Sequence, residues 1–169
     1  MNIPTYHLRT AHNREHANMA YEIHTEIQID APPATVWEIV TDLASYSDWN
    51  PFITSSEGTL AVGERLVNRL EPPGGRPLTF KPTVTDVDPG HAFEWLGRLA
   101  LPGLFDGRHR FEVVPDDDRT RLLHTERFSG ILVPLLRKSL DTHTRAGFEA
   151  MNTAVKARAE PATPKPPGD

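Results

Sequence analysis

The stretch GRHRFEVVPDDDRTRLLHTERFSG, Gly107 to Gly130, restricts the fold more than any other part of the chain. His109, Phe111 and Val113 alternate along its first arm; Leu122, His124, Glu126 and Phe128 alternate along its second. Alternation with period two over this length is the mark of half-buried strands. Asp116, Asp117 and Asp118 separate the arms, and short acidic side chains favour a tight turn because they bond their own backbone. A turn centred on Asp117 and Asp118 sets Val113 opposite Leu122, Phe111 opposite His124 and His109 opposite Glu126. Both alternating sets then share one face, as a single register requires. That face mixes apolar residues with three ionisable ones, which suits the wall of a cavity better than a dry core.

The rest of the chain supplies partners for this hairpin. From Tyr21, Ile23, Thr25, Ile27 and Ile29 alternate with polar residues and predict a first strand. Pro33 can open the helix that follows, with Val36, Ile39, Val40 and Leu43 at helical spacing and Trp37 beside them. A second short helical turn is expected over Ala44–Asp48, with Asn50 before Pro51 marking the exit. Strands are then expected at Phe52–Leu60, at Leu66–Leu70, at Leu78–Val87 and around Phe93, Trp95, Gly97 and Leu99. Pro82 inside the third of these points to an edge position or a bulge, since proline cannot donate to a ladder. The apolar loop Ala100–Asp106 is either a lid over a pocket mouth or packing on the sheet edge. Leu132–Ala159 is the longest helical pattern, with Leu132, Leu136, Leu140, Gly147, Met151 and Val155 in one broad stripe widened by Phe148. The fold class is therefore α+β: two short helices after the first strand, about seven antiparallel strands in all, and one long C-terminal helix for the curved sheet to wrap around.

Residues 1–19 read as a flexible polar leader and residues 161–169 as a disordered Pro-rich tail, flanking one domain over residues 20–160. The net charge of −5 argues against a nucleic-acid surface. The chain has no cysteine, which removes thiol nucleophiles, thiolate metal sites and disulfides. No apolar run approaches a membrane span or a signal segment, so a soluble, cytoplasmic protein is expected.

Several segments carry a resemblance. IDAPPATVWEIVTDLASYSDWNPF near the start, Trp95-Leu96-Gly97, Gly107-x-His109-x-Phe111, Glu126-x-Phe128-x-Gly130 and GFEAMNTAVKARAE from Gly147 to Glu160 resemble the START-like, Bet v 1-like superfamily. Within it the chain is similar to the SRPBCC proteins of polyketide cyclase/dehydrase type, over about Glu22 to Glu160. The resemblance implies a helix-grip fold with a deep, mostly apolar cavity. It also implies a range of roles, from lipid and hormone carriers to aromatase/cyclases, and fold alone does not choose among them.

His109, His124 and Glu126 are the candidate catalytic residues. A histidine beside a carboxylate can act as acid or base, and cyclisation or dehydration of a polyketone needs both. The predicted neighbourhood of His109 and Glu126 would orient the ring and support its charged form. The plainer alternative is that these groups satisfy one another and fix the register. Two histidines and a glutamate are also the residue types of a facial metal triad, but no further histidine spacing supports a metal, and no cofactor is expected. Trp49, Phe52, Phe93, Trp95, Phe111, Phe128, Phe148 and Met151 are the candidate ligand-binding residues, or else ordinary core. Three readings follow. The first is binding of a hydrophobic or aromatic small molecule in an internal cavity. The second is a cyclase or dehydratase, and the third a protein-interaction or assembly factor.

Overall fold

The computed structural model describes residues 20–160, so the leader and tail expected at either end lie outside the described residues. Strand β1 (Ala20–Ile29) buries Ile23, Thr25 and Ile29 and turns His24 and Glu26 outward, as its alternation dictates. Helix α1 (Pro33–Thr41), a 3-10 turn (Leu43–Ser45) and the single-turn helix α2 (Tyr46–Trp49) follow. Pro33 stands in the first turn of α1, where its missing N–H is no loss. Asn50 leaves α2 in extended geometry, and its side-chain oxygen accepts the backbone N–H groups of Phe52 and Ile53 at 3.0 and 2.9 Å. Those bonds fix the turn that sends Phe52 into the core.

Strands β2 (Ile53–Glu57), β3 (Val67–Leu70) and β4 (Leu78–Phe80) form one antiparallel group. Strands β5 (Thr83–Asp88), β6 (Ala92–Arg98), β7 (Asp106–Asp116) and β8 (Arg119–Ser129) join β1 in a five-stranded group of order β1-β8-β7-β6-β5. Backbone bonds of 2.9 Å from Leu66 to Pro82 and from Val84 to Glu64 knit the two groups into one curved sheet. The described residues form eight strands where about seven are expected, because Leu78–Val87 breaks at Lys81–Pro82 and its halves enter different groups. Proline has no N–H for a ladder, so Pro82 serves as the seam, contributing only its carbonyl.

The β7–β8 register is the one the alternation requires: Val113 faces Leu122, Phe111 faces His124 and His109 faces Glu126. Asp116 pairs with Arg119, leaving Asp117 and Asp118 as the turn. Asp117 has φ of 53°, a left-handed conformation that a short acidic residue tolerates.

Helix α3 (Val133–Ser139), a π turn (Leu140–Thr144) and helix α4 (Arg145–Ala159) run on without a break. The sequence pattern predicts a regular helix here; the wider π turn shifts the phase of everything after it. As a result α4 lays Gly147, Phe148, Met151, Asn152 and Val155 against the sheet. Gly147 has no side chain where the Phe52 ring lies, and a Cβ there would overlap that ring. The loop after β6 packs onto the sheet end and the start of α3. Ile131 and Leu132 donate backbone bonds to Gly103 and Leu104 at 3.1 Å, and the Phe105 and Phe128 rings lie 5.5 Å apart.

Two sets of substitutions test this packing. Trp95→Ala and Phe111→Ala should each lower stability by roughly 3–5 kcal/mol, because both rings are buried in full contact. Gly147→Ala should cost about 1–3 kcal/mol through overpacking, although alanine is the better helix former by ~1 kcal/mol. Urea titration reads both, and an unchanged or raised stability for Gly147→Ala would show that Phe52 does not need the gap.

Candidate functional site

Cross-strand pairing and the phase of α4 gather one polar chain inside the core. His109 on β7 and His124 on β8 approach through their Nε2 atoms at 2.8 Å. The Nδ1 atom of His124 lies 2.9 Å from Oδ1 of Asn152 on α4. Asn152 donates its amide N–H to Thr25 Oγ1 on β1 at 3.0 Å, and Thr25 donates its hydroxyl to the His124 carbonyl at 3.1 Å. At the other end, Glu126 Oε2 stands 3.5 Å from His109 Nδ1. Thr25, His109, His124 and Asn152 are buried, and the Glu126 side chain keeps 15% of its surface exposed. The three predicted residues are thus brought together. Asn152 and Thr25 complete the set and escaped the sequence reading. The signal for Asn152 was present: it sits four residues after Phe148, on the inward stripe, as a polar residue among apolar ones.

Electrostatics in this chain depart from expectation. Glu126 was expected to support a charged His109 ring. Instead burial pushes His109 down to about 3 and Glu126 up to about 8, so both are uncharged at neutral pH. Desolvation penalises each charge more than the 3.5 Å neighbour rewards it. Burial, with His109 alongside, also holds His124 well below the usual imidazole range, against the hydrogen bond that its Nδ1 gives to Asn152 Oδ1. The metal alternative finds no geometry: among the described residues no three His, Asp or Glu side chains are placed around a common point. The two histidines spend their facing nitrogens on each other.

Aromatic side chains enclose the chain. Phe148 stacks on His124 with centroids 3.7 Å apart and planes within 8°. Phe111 lies 4.3 Å from the same ring, and Trp95 stacks on His109 at 4.7 Å. Phe93 joins Trp95 and Phe111, and Phe52 meets Phe148 edge-on. Phe128 lies beside Phe105 and Tyr21, at the Glu126 end. Trp49 stands apart: it packs edge-on against Tyr46 and gives its indole N–H to Ser45. These side chains occupy much of the space between sheet and helix where the cavity is expected. Phe93, Phe111, His124, Phe148 and Met151 have no accessible surface. A space wide enough for one water would give its walls some, so the interior beside them is close-packed. Within this aromatic shell the Trp95 Nε1–H is buried and has no acceptor among the described residues. An open groove of about 290 Å³ lies between β1 and α4, with Thr25 and Asn152 in its floor.

The sequence pattern of one family, described as polyketide cyclase / dehydrase and lipid transport, matches residues 20–160. The chain belongs to that family. This agrees with the START-like, Bet v 1-like resemblance of its motifs. No curated protein matches the chain. Among solved structures, the di-domain ARO/CYC BexL from the BE-7585A biosynthetic pathway superposes with a TM-score of 0.72 at 18% identity, over 90% of this chain and 55% of that one. The chain therefore spans about half the length of that relative. The Zhui aromatase/cyclase from Streptomyces sp. R1128 gives 0.68 at 19% identity, over 83% and 93%. Norcoclaurine synthase from Thalictrum flavum gives 0.63 at 16% identity, over 93% and 95%. At these identities the likeness is one of fold. Among the described residues no helix is long and apolar enough to cross a membrane.

The opposed shifts predict a stability maximum. Between pH 4.5 and about 8 the folded protein holds a Glu126 proton that the unfolded chain releases. Its contribution is full below 4.5 and lost as pH rises through 8. His109 and His124 act with opposite sign: below 6.5 the unfolded chain takes up protons that the fold refuses. Urea stability should therefore peak near pH 6.5 and decline on either side, by on the order of 1.4 kcal/mol per pH unit per proton. Glu126→Gln should flatten the alkaline limb, and an unaltered limb in that variant would remove Glu126 as its cause.

Proposed function

We propose that the protein binds a hydrophobic or aromatic small molecule between the sheet and the C-terminal helix, with the Glu126–His109–His124 chain as its polar end. The observation that carries this reading is an uncharged, hydrogen-bonded polar chain set among aromatic faces. A core built for stability alone is better served by apolar side chains, since well-packed hydrophobes commonly match or exceed buried polar groups. Neutral acid and base groups can meet a ligand oxygen without demanding a counter-charge. Trp95 Nε1–H adds a buried donor that a ligand oxygen would complete. Binding on this reading displaces aromatic side chains from a closed interior, so the ligand needs flat apolar surface of its own.

A second reading, cyclase or dehydratase chemistry, draws on the same chain. Glu126, held protonated by burial, is a general acid, and His109 beside it takes or returns a proton. The assembly-factor reading draws on Leu99, Leu101, Ile131 and Leu135, which lie exposed around the junction of the β6–β7 loop with α3.

Native mass spectrometry of the purified full chain, followed by extraction, separates these readings. A retained apolar or aromatic molecule is expected. An empty protein that also fails to take up apolar aromatic probes would overturn the binding reading and leave the exposed leucine cluster as the better guide. If an extracted molecule is converted, His109→Gln and Glu126→Gln should abolish turnover with fold and affinity kept. Undiminished turnover in both would end the enzyme reading.

A further inference from the structure

We infer that Thr25 and Asn152 are positioning residues: they fix the ring tautomers of His124 and His109 and so determine that the proton at the far end sits on Glu126. The inference rests on the reading of this chain as the polar end of the binding site. Each step follows from what an atom can give or accept. Thr25 has one hydroxyl proton, and the His124 carbonyl takes it. Thr25 Oγ1 is then free to accept the amide N–H of Asn152, which turns the Asn152 carbonyl towards His124 Nδ1. A carbonyl only accepts, so His124 Nδ1 carries the ring proton and its Nε2 is a lone pair. The 2.8 Å contact then requires that His109 Nε2 be the donor. His109 Nδ1 is left as a lone pair, 3.5 Å from Glu126 Oε2. A carboxylate there would set negative charge against a lone pair. A carboxylic acid sets its proton there instead.

The surroundings agree with this order. Glu126 is met by His109 across β7, by Ile23 across β1, and by Gly107, whose missing side chain leaves room for the carboxyl group. The other end borders the β1–α4 groove, where the titratable and charged groups are His24, Glu26, Arg145 and Glu149. None of those four hydrogen-bonds the Thr25 or Asn152 side chain among the described residues. The tautomer rule is therefore set by the hydroxyl and the amide. If Glu126 does lose its proton to solvent, the whole chain has to reverse. His109 then donates from Nδ1 to the carboxylate and His124 donates from Nε2 to His109. Asn152 turns its amide over, and Thr25 releases the carbonyl. Protons balance, with one gone to solvent.

Imidazole ¹⁵N spectra of the ligand-free full chain, with ¹³C detection of the Glu126 carboxyl group, test the inference. In the wild type at pH 6.5, His124 should show a protonated Nδ1 and a bare Nε2, and His109 the opposite. Thr25→Val keeps the branched shape of the strand residue and removes only the hydroxyl. In that variant both rings should average between tautomers, and the Glu126 midpoint should fall by about one pH unit, a tenfold loss of proton affinity. Thr25→Ser should restore both signals. Opposite or mixed tautomers in the wild type would overturn the inference, as would Thr25→Val spectra identical to wild type. Neither result bears on whether a small molecule binds, which the extraction experiment decides separately.

Discussion

A histidine with no contact with water must find partners for both ring nitrogens inside the protein. His124 is such a residue, and much of the structure follows from meeting that demand. One partner, His109, is available only if β7 and β8 pair in one register. A slip of a single residue between them would send one of the two rings to the solvent face and separate the pair. The other partner, Asn152, is available only if α4 presents it inward, and α4 has that phase because the π turn precedes it. Thr25 then ties Asn152 to β1. Three strands and the long helix are thus held in mutual register by side chains that contribute little apolar area. The aromatic core supplies the bulk of the burial, and the polar chain selects one arrangement of it.

That division explains what could be read from the chain. The hairpin, its turn and its cross-strand pairs were legible because each depends on local period and on one short acidic turn. Pro33 and Asn50 were legible for the same reason, since proline constrains its immediate neighbours. The split at Pro82 was half legible: the missing N–H marks a fault in a strand, but two sheet groups appear only when β3 and β5 are both in place. Asn152 and Thr25 are 127 residues apart in sequence, and no local pattern joins them. The charge states are not legible in the sequence, which sets His109 opposite Glu126 but does not show how little water reaches either. Proximity alone favours the ion pair, and burial reverses that preference.

Family membership fixes the scaffold and leaves the chemistry open. The solved relatives share the wrapped sheet and long helix at 16–19% identity, a level at which few interior side chains need correspond. In this chain burial holds the polar groups of the interior in their uncharged forms. A positively charged imidazole would select anionic groups, and a free carboxylate would select cationic ones. On the ligand-binding reading proposed above, a neutral row of donors and acceptors would favour oxygen-bearing but uncharged molecules and disfavour ions, by the same desolvation that shifts its own groups.

The closed interior bears on how such a molecule would be held. The polar chain is anchored at each member by a partner on another element, so removing one strands its neighbours without partners, at about 1–3 kcal/mol for each buried group. The aromatic residues around it are held by ring packing, where a single pair contributes about 0.5–1.5 kcal/mol beyond its buried area. Displacing Phe148 or Phe111 also costs their packing, but an aromatic ligand can replace ring contacts, whereas it has no ready substitute for the hydrogen bonds that hold His124 and Asn152. A flat ring system entering beside them would replace ring contacts with ring contacts and leave the hydrogen-bonded chain as its fixed floor. The same asymmetry argues against a charged or highly solvated ligand, which would have to break both sets of contacts and could rebuild neither.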